Sequence, residues 1–235
     1  MTFSLFEGDL AVFGQTLLSA DDPRALVPVS ELLRADTLDP LLMRVYGPDL
    51  MPSQLPVLVS QWSKYYFMQL IPPVAAASLV HGWHWPLGLD RVGFALSERG
   101  LLDGVRFSGA GGVAVLGSTD PFLRFGPLLD HLQRVVEMLS AYSSVAPGVL
   151  WSNAGDYLET CLKQLGAVSA VSLAAGYALL NDRTRPDGRR NPLFNAITYI
   201  DGAGGQRRQR RSCCLSHRVE WVGRCEHCPL NASSS

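Results

Sequence analysis

Four of the chain's five cysteines fall between positions 213 and 228, in the order C-C-x10-C-x2-C. Thiolates packed this densely into an otherwise cysteine-poor chain gather around soft metal. A four-cysteine zinc ribbon presents two C-x2-C knuckles, whereas here the first pair, Cys213 and Cys214, is adjacent. Consecutive side chains on an extended segment point in opposite directions, so these two do not close on one small tetrahedral ion as a knuckle does. A larger inorganic core with two irons suits them, provided the backbone turns locally. Spacing alone leaves zinc and iron–sulfur both open. Disulfides fit least well, because a bond between adjacent cysteines is strained and an odd cysteine count without a signal peptide suits a reducing compartment.

The remaining composition bounds the class. At 235 residues, 47% hydrophobic and 17% charged, the chain is long enough to bury a real core and is not a disordered sequence. Its formal net charge of −1 carries no nucleic-acid or membrane signature. The charge is unevenly spread. Ten arginines (183, 185, 189, 190, 207, 208, 210, 211, 218 and 224) face only Asp187, Asp201 and Glu220 in the segment leading into the cysteines. Met1–Asp9 has no basic n-region and no long apolar h-region, so no secretory signal is expected. Leu165–Leu180 is apolar but broken by glycines and serines and short of the ~20 residues of a membrane span. It reads as a buried helix of small residues, and the chain as a cytoplasmic protein.

Periodicity predicts mostly helix. Asp22–Pro23 and Asp39–Pro40 each place a carboxylate before a proline, the signature of a helix start, and Gly47–Pro48 is a stop. Leu55, Val57, Leu58, Trp62, Tyr66 and Leu70 lie at helical spacing from Ser53 to Ile71; Pro72–Pro73 is expected to end that helix and Val74–Val80 to form another. Arg91–Leu96 and Leu101–Phe107 flank the turn Ser97–Gly100 as a strand pair, with Gly111–Leu116 a candidate third strand. Asp120–Pro121 opens a helical region with a firm stripe from Leu128 to Leu139. Pro147–Gly148 breaks it, and a long helix from about Asn153 to Leu180 is expected to be central. Ala196–Ile200 is a candidate strand, Gly202–Gly205 a flexible link into Arg207–Arg211, and Ser233–Ser235 a frayed end.

The expected fold class is α+β: a predominantly helical single domain with a small antiparallel sheet and a C-terminal cysteine-rich module. Cys161, alone on an apolar helix face, reads as core. His81–Trp85 crowds two indoles and two imidazoles into what reads as a packed turn. There is no phosphate-binding glycine loop, nucleophile elbow or H-E-x-x-H motif.

The cysteine pattern resembles that of the FhuF family of ferric-siderophore reductases, whose C-terminal C-C-x10-C-x2-C holds a [2Fe-2S] cluster. Ser60–Gln61–Trp62–Ser63–Lys64–Tyr65–Tyr66, Trp151–Ser152–Asn153 and Asn191–Pro192–Leu193 also look like that family. The resemblance implies Cys213, Cys214, Cys225 and Cys228 as cluster ligands, with no catalytic residues beyond them. It implies a siderophore-binding α+β domain at 1–205 and a cluster-binding module at 206–235. The expected reaction is one-electron reduction of Fe(III) in a siderophore, of hydroxamate type, releasing Fe(II). Without a nicotinamide or flavin fingerprint, the electron is expected from a donor protein of ferredoxin, flavodoxin or flavin-reductase type. Arg211, Arg218, Arg224 and His227 are candidates for tuning the potential or for docking, since cations favour the more negative reduced cluster. His217 reads as exposed or outside the ligand set, and Trp221 is the main aromatic among the tail's arginines, too little for nucleic-acid binding. Two other readings compete: a zinc-stabilised binding or regulatory module, and a siderophore-binding or siderophore-synthesis relative.

Overall fold

The structure, a computed structural model, describes residues 5–51, 53–113, 120–202, 205–220 and 222–231. In chain order the helices are α1 (Ala11–Gly14), α2 (Val29–Leu32), α3 (Ala35–Tyr46), α4 (Leu55–His81), α5 (Pro121–Arg124), α6 (Gly126–Ser143), α7 (Pro147–Val168) and α8 (Ala174–Asn181). The strands are β1 (Leu26–Pro28), β2 (Trp83–His84), β3 (Val92–Leu96), β4 (Leu102–Phe107), β5 (Gly112–Val113), β6 (Ile197–Gly202) and β7 (Gly205–Arg210). The architecture is helical with small antiparallel sheets, as the sequence predicts.

Helix α4 is the axis. Most of its 27 residues are buried, with apolar side chains on every face, the pattern of a helix enclosed by its neighbours. It packs most extensively on α7 and also meets α6, β2 and β4. The expected break at Pro72–Pro73 does not occur. Two prolines free the carbonyls of Met68 and Gln69 from their usual partners four residues on. Thr16 Oγ1 donates to the Gln69 carbonyl at 2.9 Å, while Met68 sits on an exposed side where water can bond it. The helix therefore runs on to Gly82, whose left-handed backbone (φ 62°) caps it by donating to Ser78 O. Val74–Val80 is its second half, not a separate helix.

Against α4 lies a three-stranded antiparallel sheet in the order β1-β3-β4. The β3–β4 hairpin turns at Ser97–Gly100 as expected, with Gly100 at φ 80°. Gln69 reaches from α4 to this hairpin, donating to Leu102 O and accepting from Gly104 N at 2.6 Å. The third strand is β1, from a stretch expected to be helical. Asp22 does not cap a helix there; it binds the backbone N–H and guanidinium of Arg24, which hold its carboxyl down to about 2. Residues 112–113 pair instead with Trp83–His84, and residues 114–116 of the proposed third strand lie outside the described residues. Trp85 stacks on Phe107 at 4.7 Å, so the His81–Trp85 segment is a packed turn.

Other boundaries also moved. Asp39–Pro40 lies inside α3 because Asp39 accepts from Tyr142 of α6 rather than capping. Asp120 does cap, accepting from Phe122 N at 2.8 Å. Pro147 opens α7 rather than only ending α6, which has already closed at Ser143. The expected helix to Leu180 is two, α7 and α8, and Ala167, Ala170 and Ala174 are exposed. Close approach occurs at Gly155, against Ala196, and at Gly176, against Leu162. The expected link Gly202–Gly205 connects two strands that pair in register, with Ile197 opposite Arg210 and Gly202 opposite Gly205; residues 203 and 204 lie outside the described residues. The expected boundary at 205/206 falls inside β7, between its first two residues. Residues 233–235 lie outside the description.

His131 joins α6 to α4. Its Nδ1 donates to Leu87 O at 2.6 Å, which leaves Nε2 to accept from Tyr66 Oη at 2.5 Å. Only the neutral ring serves both partners, and burial drops its pKa from 6.5 to about 4. The unfolded chain therefore binds the extra proton first. Stability is expected to fall as pH drops from about 6.5 toward 4, by roughly 3 kcal/mol over that window. Urea unfolding at stepped pH checks this, and His131→Gln should flatten the slope.

Candidate metal centre

The four tail cysteines come together beside the first half of α4. Cys213 and Cys214 leave β7 and are followed by Leu215, a non-glycine residue at φ 64°. That left-handed residue is the local turn that an adjacent cysteine pair requires; it leads into a 3-10 turn, Ser216–Arg218. Cys225 and Cys228 form a second turn, closed by Cys228 N donating to Cys225 O at 3.1 Å. Asn231 Nδ2 donates to the same carbonyl, and Arg210 N to His227 O, which ties this turn to β7.

The sulfurs fall into two couples. Cys214 Sγ lies 3.8 Å from Cys225 Sγ, and Cys228 is close enough to Cys213 to act on the Cys213 thiol. All are free thiols. Among the described residues no three His, Cys, Asp or Glu side chains converge as ligands of one ion; the arrangement is pairwise. Cys214 and Cys228 are buried, Cys213 and Cys225 half-buried.

Donors surround the sulfurs. Leu215 N–H points at Cys213 Sγ (3.3 Å), His217 Nδ1 sits 3.4 Å from the same atom, and Ser216 Oγ lies 3.4 Å from Cys214 Sγ. Lys64 Nζ, from α4, is 3.1 Å from Cys214 Sγ. As a free thiol Cys214 is held far below the usual range, first by the Cys225 thiol donating to it, then by Ser216 and the Lys64 charge. Cys225 keeps the shared proton and is pushed up correspondingly. Burial raises Cys213. A site that stabilises thiolate at one sulfur of a close couple is chemically suited to soft metal. Cys161 is apart from all this, buried on α7 with its thiol pushed up to about 12 by burial, as its reading as core requires.

The tail is bolted to α4 and α7 by polar contacts. Ser60 Oγ and Gln61 Nε2 both donate to Cys214 O, at 2.8 and 2.6 Å. Fully buried Asn153 donates to Ser60 O and Ser63 Oγ and accepts from Arg210. Arg210, only 3% exposed, also meets Asp156 at 3.3 Å, while Arg208 bridges Asp156 and Glu159 at 2.6 and 2.7 Å. The alternating arginines of β7 thus face acids on α7 instead of solvent. Ser212 N–H donates to Ser152 Oγ at 3.3 Å.

Of the other sequence candidates, Arg218 and Arg224 are exposed, His227 is half-buried with Nε2 3.9 Å from Glu226, and Arg211 donates to Phe194 O. Trp221 lies outside the described residues. Sequence reasoning missed Lys64, although the stretch containing it had been singled out by resemblance; the lysine and Cys214 are 150 positions apart.

Residues 60–205 match the family described as ferric iron reductase FhuF-like transporter. Residues 210–230, spanning all four cysteines, match the FhuF 2Fe-2S C-terminal domain, so the cofactor of this tail is a [2Fe-2S] cluster. The thiol couples fit that assignment. The ferric siderophore reductase of Escherichia coli K12 is 26% identical over 183 residues, which cover 74% of this chain and 65% of the relative. The fold is also that of part of the aerobactin synthetase IucA of a hypervirulent Klebsiella pneumoniae, with a TM-score of 0.54 and 13% identity over 74% of this chain and 38% of the synthetase. Its ATP-bound form gives 0.52. The chain thus spans just under two thirds of the reductase and well under half of the synthetase.

Removing an acid from the buried junction leaves Arg210 without its ion-pair partner, and such losses cost about 3 kcal/mol. Asp156→Ala is expected to lower unfolding stability by about that amount in urea titrations, whereas Gln164→Ala, at an exposed position of the same helix, should change it by less than about 0.5 kcal/mol.

Proposed function

Given that the chain belongs to the FhuF family, we propose that it is a ferric-siderophore reductase in which Cys213, Cys214, Cys225 and Cys228 hold the [2Fe-2S] cluster. The observation that carries this reading is the gathering of those four sulfurs into two close couples within the segment that matches the 2Fe-2S domain. Two thiolates per iron is what such a cluster takes. When bound, the cluster supplies one electron at a time.

The chain's own residues do the rest. Ser60 and Gln61 fix the Cys214 backbone, and Asn153, itself held by Arg210, fixes Ser60 in turn, which positions the ligand-bearing loop. Lys64 and the Leu215 N–H place positive potential at the sulfurs, which favours the more negative reduced state. The substrate is Fe(III) in a siderophore, of hydroxamate type. Hard oxygen ligands suit Fe(III) far better than Fe(II), so accepting one electron loosens the chelate and frees the metal for cytoplasmic use. The electron comes from a donor protein of ferredoxin, flavodoxin or flavin-reductase type. Residues 1–205 serve as the siderophore-binding part and 206–235 as the cluster module, with β6–β7 as the joint. No helix among the described residues is long and apolar enough to cross a membrane.

Anaerobically purified protein is expected to absorb in the visible, to bleach with dithionite, and to be reoxidised by a ferric siderophore with Fe(II) appearing in a ferrous-specific chelator. Colourless protein with bound zinc and no acid-labile sulfide would overturn the reading. Lys64 provides a finer check. A partly exposed charge about 3 Å from a ligand sulfur contributes about 1–2 kcal/mol to the reduced state, or roughly 40–90 mV for one electron. Lys64→Met should lower the midpoint potential by that amount and Lys64→Arg should largely preserve it.

A further inference from the structure

Beside the cysteine loop lies a cavity of about 260 Å³ at the start of α7. It is lined by Trp151, Ser152, Arg190, Pro192, Arg211 and Ser212. Ser212 directly precedes Cys213, so the cavity abuts the ligand-bearing loop. The lining contains two guanidinium groups and no acid. The other nearby arginines have been neutralised: Arg189 by Asp187 at 2.5 Å, Arg208 and Arg210 by Asp156 and Glu159. Arg190 has no such partner among the described residues. Arg211 spends one N–H on Phe194 O (2.9 Å) and is otherwise uncommitted.

The positions of these arginines are built in. Fully buried Asn191 anchors the loop that carries Arg190, donating to Leu179 O and Asp182 O at 2.8 and 2.7 Å and accepting from Leu193 N. Arg211 is held by its own N–H to Ala196 O. The early turns of the long helix α7 add its positive end to the same space. Guanidinium forks match carboxylates in two-point fashion. An indole wall gives an apolar stem somewhere to lie.

We infer that this cavity is the docking site of the substrate and that it selects an anionic ferric chelate, one bearing a carboxylate that Arg190 and Arg211 clamp beside the Cys213 loop. The inference rests on the reductase reading and sharpens it. At this volume the cavity takes the charged periphery of a chelate and not the whole of it, which leaves the metal core at the mouth. An uncharged tris-hydroxamate complex gains nothing from the two guanidinium groups, whereas a chelate with a free carboxylate does.

Gallium(III) complexes test this without reduction, because Ga(III) matches Fe(III) in charge and coordination but accepts no electron at biological potentials. Calorimetric titration of the cluster-loaded protein is expected to show the anionic Ga(III) complex of a citrate-based dihydroxamate binding at least tenfold more tightly than an uncharged Ga(III) trihydroxamate. Arg190→Gln should weaken the anionic complex about tenfold, Arg190→Gln with Arg211→Gln should weaken it further, and Arg190→Lys should recover part of the loss. The uncharged complex should be unaffected by either arginine. Wild-type protein that does not bind the anionic complex, or variants that bind it as well as wild type with unchanged visible spectra and helical circular dichroism, would overturn the site. The reductase reading is scored separately, by whether dithionite-reduced wild-type protein is reoxidised by any ferric siderophore.

Discussion

The capture of one backbone carbonyl, that of Cys214, by Ser60 and Gln61 decides where the tail sits. The cysteine segment has little apolar mass of its own; Cys214, Val219 and Cys228 are its buried apolar residues. A segment this short cannot hold itself by hydrophobic burial. It borrows order from α4, most of whose residues are buried. Each hydrogen bond contributes only about 1 kcal/mol net, but the partners are buried, so leaving any of them unmade costs more than making it gains. That asymmetry gives the loop one register on the helix. The same register sets Lys64 against Cys214 Sγ, one turn along from Ser60.

The local features of this arrangement were readable from the chain. The β3–β4 hairpin, the Asp120 cap and the α6 stripe depend on neighbours in sequence, and each is where spacing predicts it. The cysteine quartet was legible for the same reason, and so was the demand it makes on the backbone, answered by the left-handed Leu215. The failures share a different cause. Pro72–Pro73 should end a helix unless something distant replaces the lost bonds, and Thr16, 53 positions from Gln69, does so. The pairing of Arg208 and Arg210 was invisible in the local pattern because Asp156 and Glu159, which neutralise them, lie about fifty positions away. Leu165–Leu180 reads as one buried helix of small residues, yet Ala167, Ala170 and Ala174 are exposed and the close approaches fall at Gly155 and Gly176, where a Cβ would overlap Ala196 and Leu162.

Resemblance succeeded in places where periodicity was silent. The stretches Ser60–Tyr66, Trp151–Asn153 and Asn191–Leu193 are separated by about ninety and forty positions in the chain, and nothing in their local pattern says that they meet. In the structure they are the supports of one site. The first carries Ser60, Gln61 and Lys64. The second carries Ser152 and Asn153, and the third opens with the asparagine that anchors the arginine loop. Each contributes polar atoms that are spent on backbone or sulfur. A family pattern of this kind therefore records a hydrogen-bond frame and not only a packing core.

The distribution of charge completes the argument. Some positive groups near the thiols are paired with acids inside the junction, whereas others, Lys64 at the sulfur and Arg190 and Arg211 at the cavity among them, have no acid within ion-pair distance among the described residues. Uncompensated cations favour any added negative charge nearby. On the proposed reading, an added electron at the cysteine site and an anionic chelate in the cavity would be two such charges drawing on one field, and by linkage each would weaken the hold on the other. An oxidised site would then bind the anion most readily, and a bound anion would make the site a stronger reductant.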